Sequence, residues 1–343
     1  MPQRTKIVNM LMRAVDMGDC AEKYIPDIAY KMRPVKCVDA VYGAIFGDIA
    51  GSAYEFYENA PDNTLETIGK DGYRNSRITD DSILTLATAD VLNGLAEERY
   101  KLDSGRVIKG SDFINMPYDM DAVIEGDTLL GPLPDVYADA YHRWGNEYPD
   151  AGYGGHFFMW LVSDKMKPYG SRGNGSAMRV SPIGAYGQSV EDTLVNAVLS
   201  SAVTHDDVEG IRGACVTAVA VWLAAAGMDK EGIFHYMKEV YSGDGVNLFK
   251  EYTFGEGTQI RDWQVQCPFS VPAAVIAVHE SCSFEEAVEK ALHIGLDRDT
   301  NACIAGAVAG ALYGVPEEIK AVVNEKLEEK QKEVLSGFIS SNG

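Results

Sequence analysis

Apolar residues recur at helical spacing along nearly the whole chain, while short alternating runs of β-branched residues between turns are almost absent. The pattern predicts helices over residues 38–56, 82–95, 190–202, 208–225, 272–280, 284–294, 301–313 and 316–330. A chain of 343 residues with 46% hydrophobic content can bury a large core without staples. The expected fold is therefore all-α.

Three stretches lack sustained periodicity and read as loops: 101–134, 165–175 and 243–257. None has the composition of a linker between independent domains. The expected organisation is an N-terminal helical extension over residues 1–35 and one helical domain over 36–343. No leftover amphipathic seam marks a coiled coil, so a monomer is expected.

The formal charge of −21 and pI near 4.6 argue against nucleic acid and anionic membranes, which attract clustered Lys and Arg, and favour cations as partners. The N-terminus lacks the apolar core of a signal peptide, and six cysteines without C-x-x-C pairing read as small buried groups in a reduced compartment. A cytoplasmic protein is expected. The apolar run 302–315 is too short to span a bilayer. Its Gly306, Gly310 and Gly314 instead suggest close approach of two buried helices.

Two acidic clusters stand ahead of apolar helical runs: Thr79, Asp80, Asp81 and Ser82 in "RITDDSILTL", and Asp297, Asp299 and Thr300 in "GLDRDTNACIAGAVAGALYG". Either can be a helix cap, since hydroxyls and acids satisfy free N–H groups and the macrodipole. Two caps that both pair carboxylates also suit a hard cation, Mg²⁺ or Mn²⁺, because adjacent acids repel unless something separates them. Asp297 and Asp299 can converge only at an irregular helix start, which Gly295 would assist.

Three further stretches carry chemistry. In "GAIFGDIAGSAYEF", Gly43, Gly47 and Gly51 mark close packing, and Asp48 and Glu55 lie on one helical face that is either buried or solvated. In "YGSRGNGSAMR", Gly170, Gly173 and Gly175 with Asn174 and Ser176 can expose successive N–H groups to a phosphate, or form a surface turn. In "THDDVEG", His205 and Glu209 stand four residues apart, at the spacing of a helical pair.

Together these motifs, in this order from about Val38 to Val315, resemble the ADP-ribosylglycohydrolase family, which includes dinitrogenase-reductase-activating glycohydrolase, the ADP-ribosyl-acceptor hydrolases and a class of lens crystallins. The resemblance implies a compact orthogonal multi-helix fold with a central dinuclear metal site. It implies two Mg²⁺ ions held by residues matching Thr79, Asp80, Asp81, Asp297, Asp299 and Thr300. It assigns the ADP-ribose pocket to Ser171, Gly173, Asn174, Gly175, Ser176 and His205, and catalysis to Glu55 and Asp299, with Glu55 as acid/base or gating carboxylate. Ser82 stands where many relatives carry Thr, a mild exchange if that hydroxyl caps the helix. Arg172 replaces an aromatic found in several relatives, and would pair with pyrophosphate or point to solvent.

The implied reaction is Mg²⁺-dependent hydrolysis of an ADP-ribosyl N- or O-glycosidic bond, on a modified protein side chain or a small conjugate. The alternatives are a non-catalytic ADP-ribose-binding or crystallin-like structural protein, and a metal-dependent pyrophosphohydrolase. Retention of Glu55 and all the acids disfavours the first. Asp119, Asp121, Glu125 and Asp127 in the 101–134 loop are candidates for choosing the acceptor.

Overall fold

The computed structural model describes residues 37–57, 64–70, 72–101, 133–164, 166–242 and 265–340. The expected extension over 1–35, the four loop acids, most of the 101–134 loop and all of the 243–257 loop lie outside these residues. In chain order the described helices are α1 (Val38–Ser52), α2 (Leu65–Gly69), α3 (Asp80–Ala96), α4 (Leu133–Glu147) and α5 (Gly155–Leu161). They continue as α6 (Gly175–Met178), α7 (Ser181–Tyr186), α8 (Val190–Ala202), α9 (Val208–Ala225) and α10 (Lys230–Ser242). The last are α11 (Cys267–His279), α12 (Phe284–Leu292), α13 (Arg298–Tyr313), α14 (Glu317–Lys326) and α15 (Glu329–Ser340). Among the described residues there is no strand, and the β features are isolated bridges, one between Gly173 and Gln266 and one at Lys101, so the all-α expectation holds.

α1 and α13 form the central pair, and their glycines explain it. A Cβ on Gly43 would lie 2.1 Å from the Gly306 carbonyl oxygen, one on Gly47 2.0 Å from that of Ala302, and one on Gly310 2.3 Å from that of Asp39. Only hydrogen fits at those points, so the two backbones touch along their length. α9 packs beside this pair, with Val216, Ala220 and Val221 fully buried. It, rather than 302–315, is the one described helix long and apolar enough to cross a membrane, and 83% of it is buried within the fold.

Three boundaries differ from the expected ones. α1 stops at Ser52 because the next turn leaves the helix, with Phe56 at φ +57 and its N–H donating to the Leu296 carbonyl at 2.8 Å. α11 begins at Cys267 and runs through Pro272, whose missing N–H costs one bond near the helix start. The single helix expected over 316–330 breaks at Leu327, which turns extended while buried; Gln331 then accepts from the Glu328 N–H as α15 begins. The amphipathic α4 and α10 escaped the periodicity reading.

The described cysteines are all free thiols. Cys215, Cys267 and Cys303 are buried as expected, whereas Cys282 is exposed and Cys37 half-buried.

Candidate functional site

The two acidic clusters meet at one end of the central helix pair. A Cβ on Gly51 would lie 2.3 Å from Asp299 Cα, so α1 is pressed directly against the start of α13. Gly295, at φ +63, turns the chain into that start, and Asp297 precedes the first helical residue. Neither Thr79 nor Asp297 caps its helix with its side chain; Asp299 Oδ1 alone of the second cluster accepts from a first-turn N–H, that of Thr300 at 2.9 Å, so capping accounts for only part of these clusters.

Carboxylate oxygens of Asp48, Asp81 and Asp299 lie within 4.8 Å of one another, as do those of Glu55, Asp297 and Asp299. The two groups share Asp299. Asp81 Oδ2 accepts from the Thr300 hydroxyl at 3.2 Å, while its buried Oδ1 has no partner. An orphaned buried carboxylate oxygen among five other acids is what a hard cation satisfies, so the donor set fits a divalent ion such as Mg²⁺.

Electrostatics agree. Burial, then the neighbouring Asp48, Glu55 and Asp297, push Asp80 up to about 8. Burial and the surrounding acids hold Asp81 and Asp299 well above the usual carboxylate range. Asp297 and Glu55 are also raised, chiefly by burial, Glu55 further by Asp297. The cluster is short of positive charge.

Asp48 is the residue that periodicity left undecided. It is fully buried, and accepts hydrogen bonds from the Thr79 N–H at 3.0 Å, the Thr79 hydroxyl at 2.5 Å, the Ser82 N–H at 3.1 Å and the Ser82 hydroxyl. Ser82 therefore holds Asp48 rather than capping α3. Thr79 likewise gives its N–H and hydroxyl to Asp48, the hydroxyl also standing 3.5 Å from Asp81 Oδ2.

Glu55 stands on the turn after α1, with Phe56 beside it in the left-handed region. Arg298, between the two acids of the second cluster, points away from them. Its Nη1 donates to the carbonyls of Tyr54 at 2.7 Å and Tyr57 at 2.8 Å, and its Nε to that of Leu292 at 3.2 Å. The Glu55 turn is thus tied to the segment carrying Asp297 and Asp299.

A cavity of about 500 Å³ opens over the acids, lined by Glu55, Asp80, Asp81, Asp297 and Thr300 on one side and by the 170–175 loop with His205 on the other. That volume suits a ligand of nucleotide size. Ser171, Gly173, Asn174 and Gly175 line it; Ser176 does not, because its hydroxyl is buried and donates to the Gly210 carbonyl at 2.7 Å. The expected run of open N–H groups is shorter than the glycines suggest. Those of Gly170, Gly173 and Asn174 already bond Asp206, Ser171 Oγ and the Val265 carbonyl, leaving Gly175 and Ser176 at the first turn of α6. Arg172 is exposed on the cavity rim.

His205 is buried ahead of α9, so it is not in a helical pair with Glu209, which faces Arg212 at 3.2 Å. Burial, then Arg179, hold His205 well below the ordinary histidine value. Sequence reasoning missed Arg179, which is fully buried on the cavity wall, and Arg298. For Arg298 the signal was available: an arginine standing between two acids in the chain.

The family model of the ADP-ribosylglycohydrolases matches residues 32–340. The chain is 28% identical over 235 residues to the ADP-ribosylhydrolase ARH3 of Mus musculus, covering 52% of this chain and 63% of that protein. It is 24% identical over 306 residues to the ADP-ribosylarginine hydrolase Tri1 of Pseudomonas putida (strain GB-1), covering 85% and 76%. A solved structure described as an ADP-ribosylglycohydrolase-related protein complex shares the fold with a TM-score of 0.58 at 19% identity, over 90% of this chain and 99% of that one. With that family model spanning nearly all of its length, the chain belongs to the ADP-ribosylglycohydrolase family.

Proposed function

We propose that the protein hydrolyses the glycosidic bond between the distal ribose of ADP-ribose and an acceptor, and that it does so with two Mg²⁺ ions, for which Mn²⁺ can substitute. The observation that carries this is the pair of acidic groups sharing Asp299, of which Asp81, Glu55 and Asp297 line a nucleotide-sized cavity, with Asp81 Oδ1 left unpartnered. The named relatives are ADP-ribosylhydrolases, enzymes that cut glycosyl bonds, and they support the same reaction.

Asp80, Asp81, Asp297, Asp299 and Thr300 would hold the ions, with Thr79 bracing them through Asp48. Bound ions would neutralise the acids, orient ribose hydroxyls and polarise the reacting oxygen. The loop from Ser171 to Gly175 and His205 would bind the ADP moiety, and closure of the cavity around it would exclude bulk water from the ribose. Cleavage through an oxocarbenium-like state needs a proton delivered to the leaving atom or taken from water. Glu55, whose carboxyl is held above its usual range yet open to the cavity, is suited to move that proton. Asp299, shared by both acidic groups, would fix the geometry between ions and ribose.

The test is release of free ADP-ribose from arginine-linked, serine-linked and small-molecule conjugates, each in Mg²⁺ and in excess EDTA. Metal-dependent release from one class supports the reaction and identifies the acceptor. AMP and ribose phosphate as products would mean pyrophosphate cleavage, and ADP-ribose binding without turnover a binding protein. Glu55→Gln should lower turnover by roughly 10²-fold or more while ADP-ribose still binds. Asp299→Ala should abolish Mg²⁺-dependent binding; unchanged affinity in that variant removes the site.

A further inference from the structure

We infer that Arg179 and Thr204 fix the proton of the His205 ring on Nε2, so that His205 presents a hydrogen-bond donor to an anionic group of the ligand beneath the glycine-rich loop. The inference rests on the proposed reading of the cavity only for the ligand's identity.

The chain of contacts starts deep in the fold. Arg179 lies with its guanidinium carbon 4.2 Å from the centre of the Tyr141 ring, and its Nη2 donates to the Ser200 carbonyl at 2.6 Å and to the Thr204 hydroxyl at 2.8 Å. Among the described residues no carboxylate pairs with it, and its Nε and Nη1 have no partner. Such a cation donates and never accepts, so the oxygen of Thr204 is used as an acceptor on that side.

Thr204 Oγ1 also stands 2.8 Å from His205 Nδ1. The hydroxyl has one proton, and Nδ1 is the one acceptor within reach of it among the described residues. Were Nδ1 protonated, the ring and Arg179 would both donate to the same oxygen and the hydroxyl proton would be stranded in a buried setting. Donation from Thr204 to Nδ1 satisfies every group. The ring is neutral, because burial and the facing guanidinium disfavour a second proton, so its single proton goes to Nε2.

Nε2 points at the glycine-rich loop. It lies 3.5 Å from where a Cβ would stand on Gly173 and 3.3 Å from one on Gly175, and no protein group among the described residues bonds it. The Tyr169 ring flanks the imidazole at 5.9 Å between centres. A donor there offers a phosphate-bearing ligand a hydrogen bond in a chain whose net charge would otherwise repel it. Arg179 and Thr204 are positioning residues, acting through His205.

The test reads the tautomer directly, in ligand-free protein. Long-range ¹H–¹⁵N correlation of the histidine rings should show His205, assigned by its disappearance in His205→Gln, with the proton on Nε2 and a bare, hydrogen-bonded Nδ1. Thr204→Val keeps the shape and removes the hydroxyl. Its Nδ1 shift should move, the Nδ1-protonated form should appear, and ADP-ribose should bind about tenfold more weakly. Thr204→Ser should restore all three. A wild-type ring carrying its proton on Nδ1 overturns the inference, even if Thr204→Val does not fold; so does a Thr204→Val ring with unchanged nitrogen shifts and unchanged affinity. A wild-type ring protonated on Nε2 in a protein that binds no ADP-ribose upholds the tautomer and sinks the proposed function instead.

Discussion

Asn174 donates from Nδ2 to Asp297 Oδ2 at 2.5 Å, joining the glycine-rich loop to the acidic helix start across 123 residues of chain. The same amide group reaches Ser270 Oγ at 2.9 Å, so α11 fixes its orientation. Ligand loop and acidic centre are therefore one mechanical unit. Asn174→Ala should weaken both Mg²⁺ and ADP-ribose binding, each by roughly 10- to 100-fold, as loss of a group that orients a ligating carboxylate does elsewhere. Calorimetric titration of each ligand checks this, and loss of ADP-ribose affinity with Mg²⁺ affinity intact would show the two sites to be independent.

Arg298 holds the Glu55 turn by two carbonyls on Nη1 while its Nε bonds the Leu292 carbonyl, a division of contacts that needs the planar guanidinium. Arg298→Lys keeps the charge but loses the fork, and Arg298→Met loses both. Turnover should fall in the order wild type, Lys, Met, to about 10²-fold below wild type in the last, the scale expected when a catalytic group drifts by an ångström. Affinity for ADP-ribose should stay within about twofold. A parallel loss of Mg²⁺ affinity would place the effect on Asp297 and Asp299 instead of Glu55.

Ser82 and Asp48 give a stability prediction. Ser82→Ala leaves fully buried Asp48 with three donors in place of four, and should cost about 1–3 kcal/mol in denaturant unfolding. Ser82→Thr keeps the hydroxyl and should fall within about 1 kcal/mol of wild type. Equal losses in both variants would mean that space, rather than the hydrogen bond, is what Ser82 supplies.

Gly43 and Gly51 both pack against α13 with no room for a methyl group, but different atoms face them. Gly43→Ala collides with the Gly306 carbonyl and Gly51→Ala with the backbone of Asp299. Both should destabilise by about 1–3 kcal/mol or more through overpacking. Mg²⁺ affinity should drop far more in Gly51→Ala, and equal affinities would argue that α13 can shift without disturbing the acids.

The raised acids also set a pH dependence. Asp80 goes from 3.8 to about 8 on folding, so the folded state holds its proton more tightly. The stability this brings is complete below the unfolded value and is lost as pH rises from about 4 through about 8. In EDTA the melting temperature should decline over that window, and Mg²⁺ should raise it more at about pH 8 than at about pH 6, since the cation competes with those protons. A flat profile in EDTA would contradict the crowding of the acids.

The all-α class, the two acidic clusters and the close α1–α13 approach were legible in the chain, because each is written at short range: a 3.6-residue period, a hydroxyl beside paired carboxylates, glycines every four residues. Tertiary structure decided what lies across the chain. Whether Asp48 faced water or the core depended on what α3 brought against it, 31 residues and more away. The Ser176 hydroxyl is spent on the Gly210 carbonyl, 34 residues away. The roles of Arg298 and Arg179 rest on carbonyls and a hydroxyl that no periodicity announces. Local pattern dictates backbone conformation and which face is apolar. Which buried donor meets which acceptor depends on how the finished helices stack, since a polar group's partner is chosen by proximity in space.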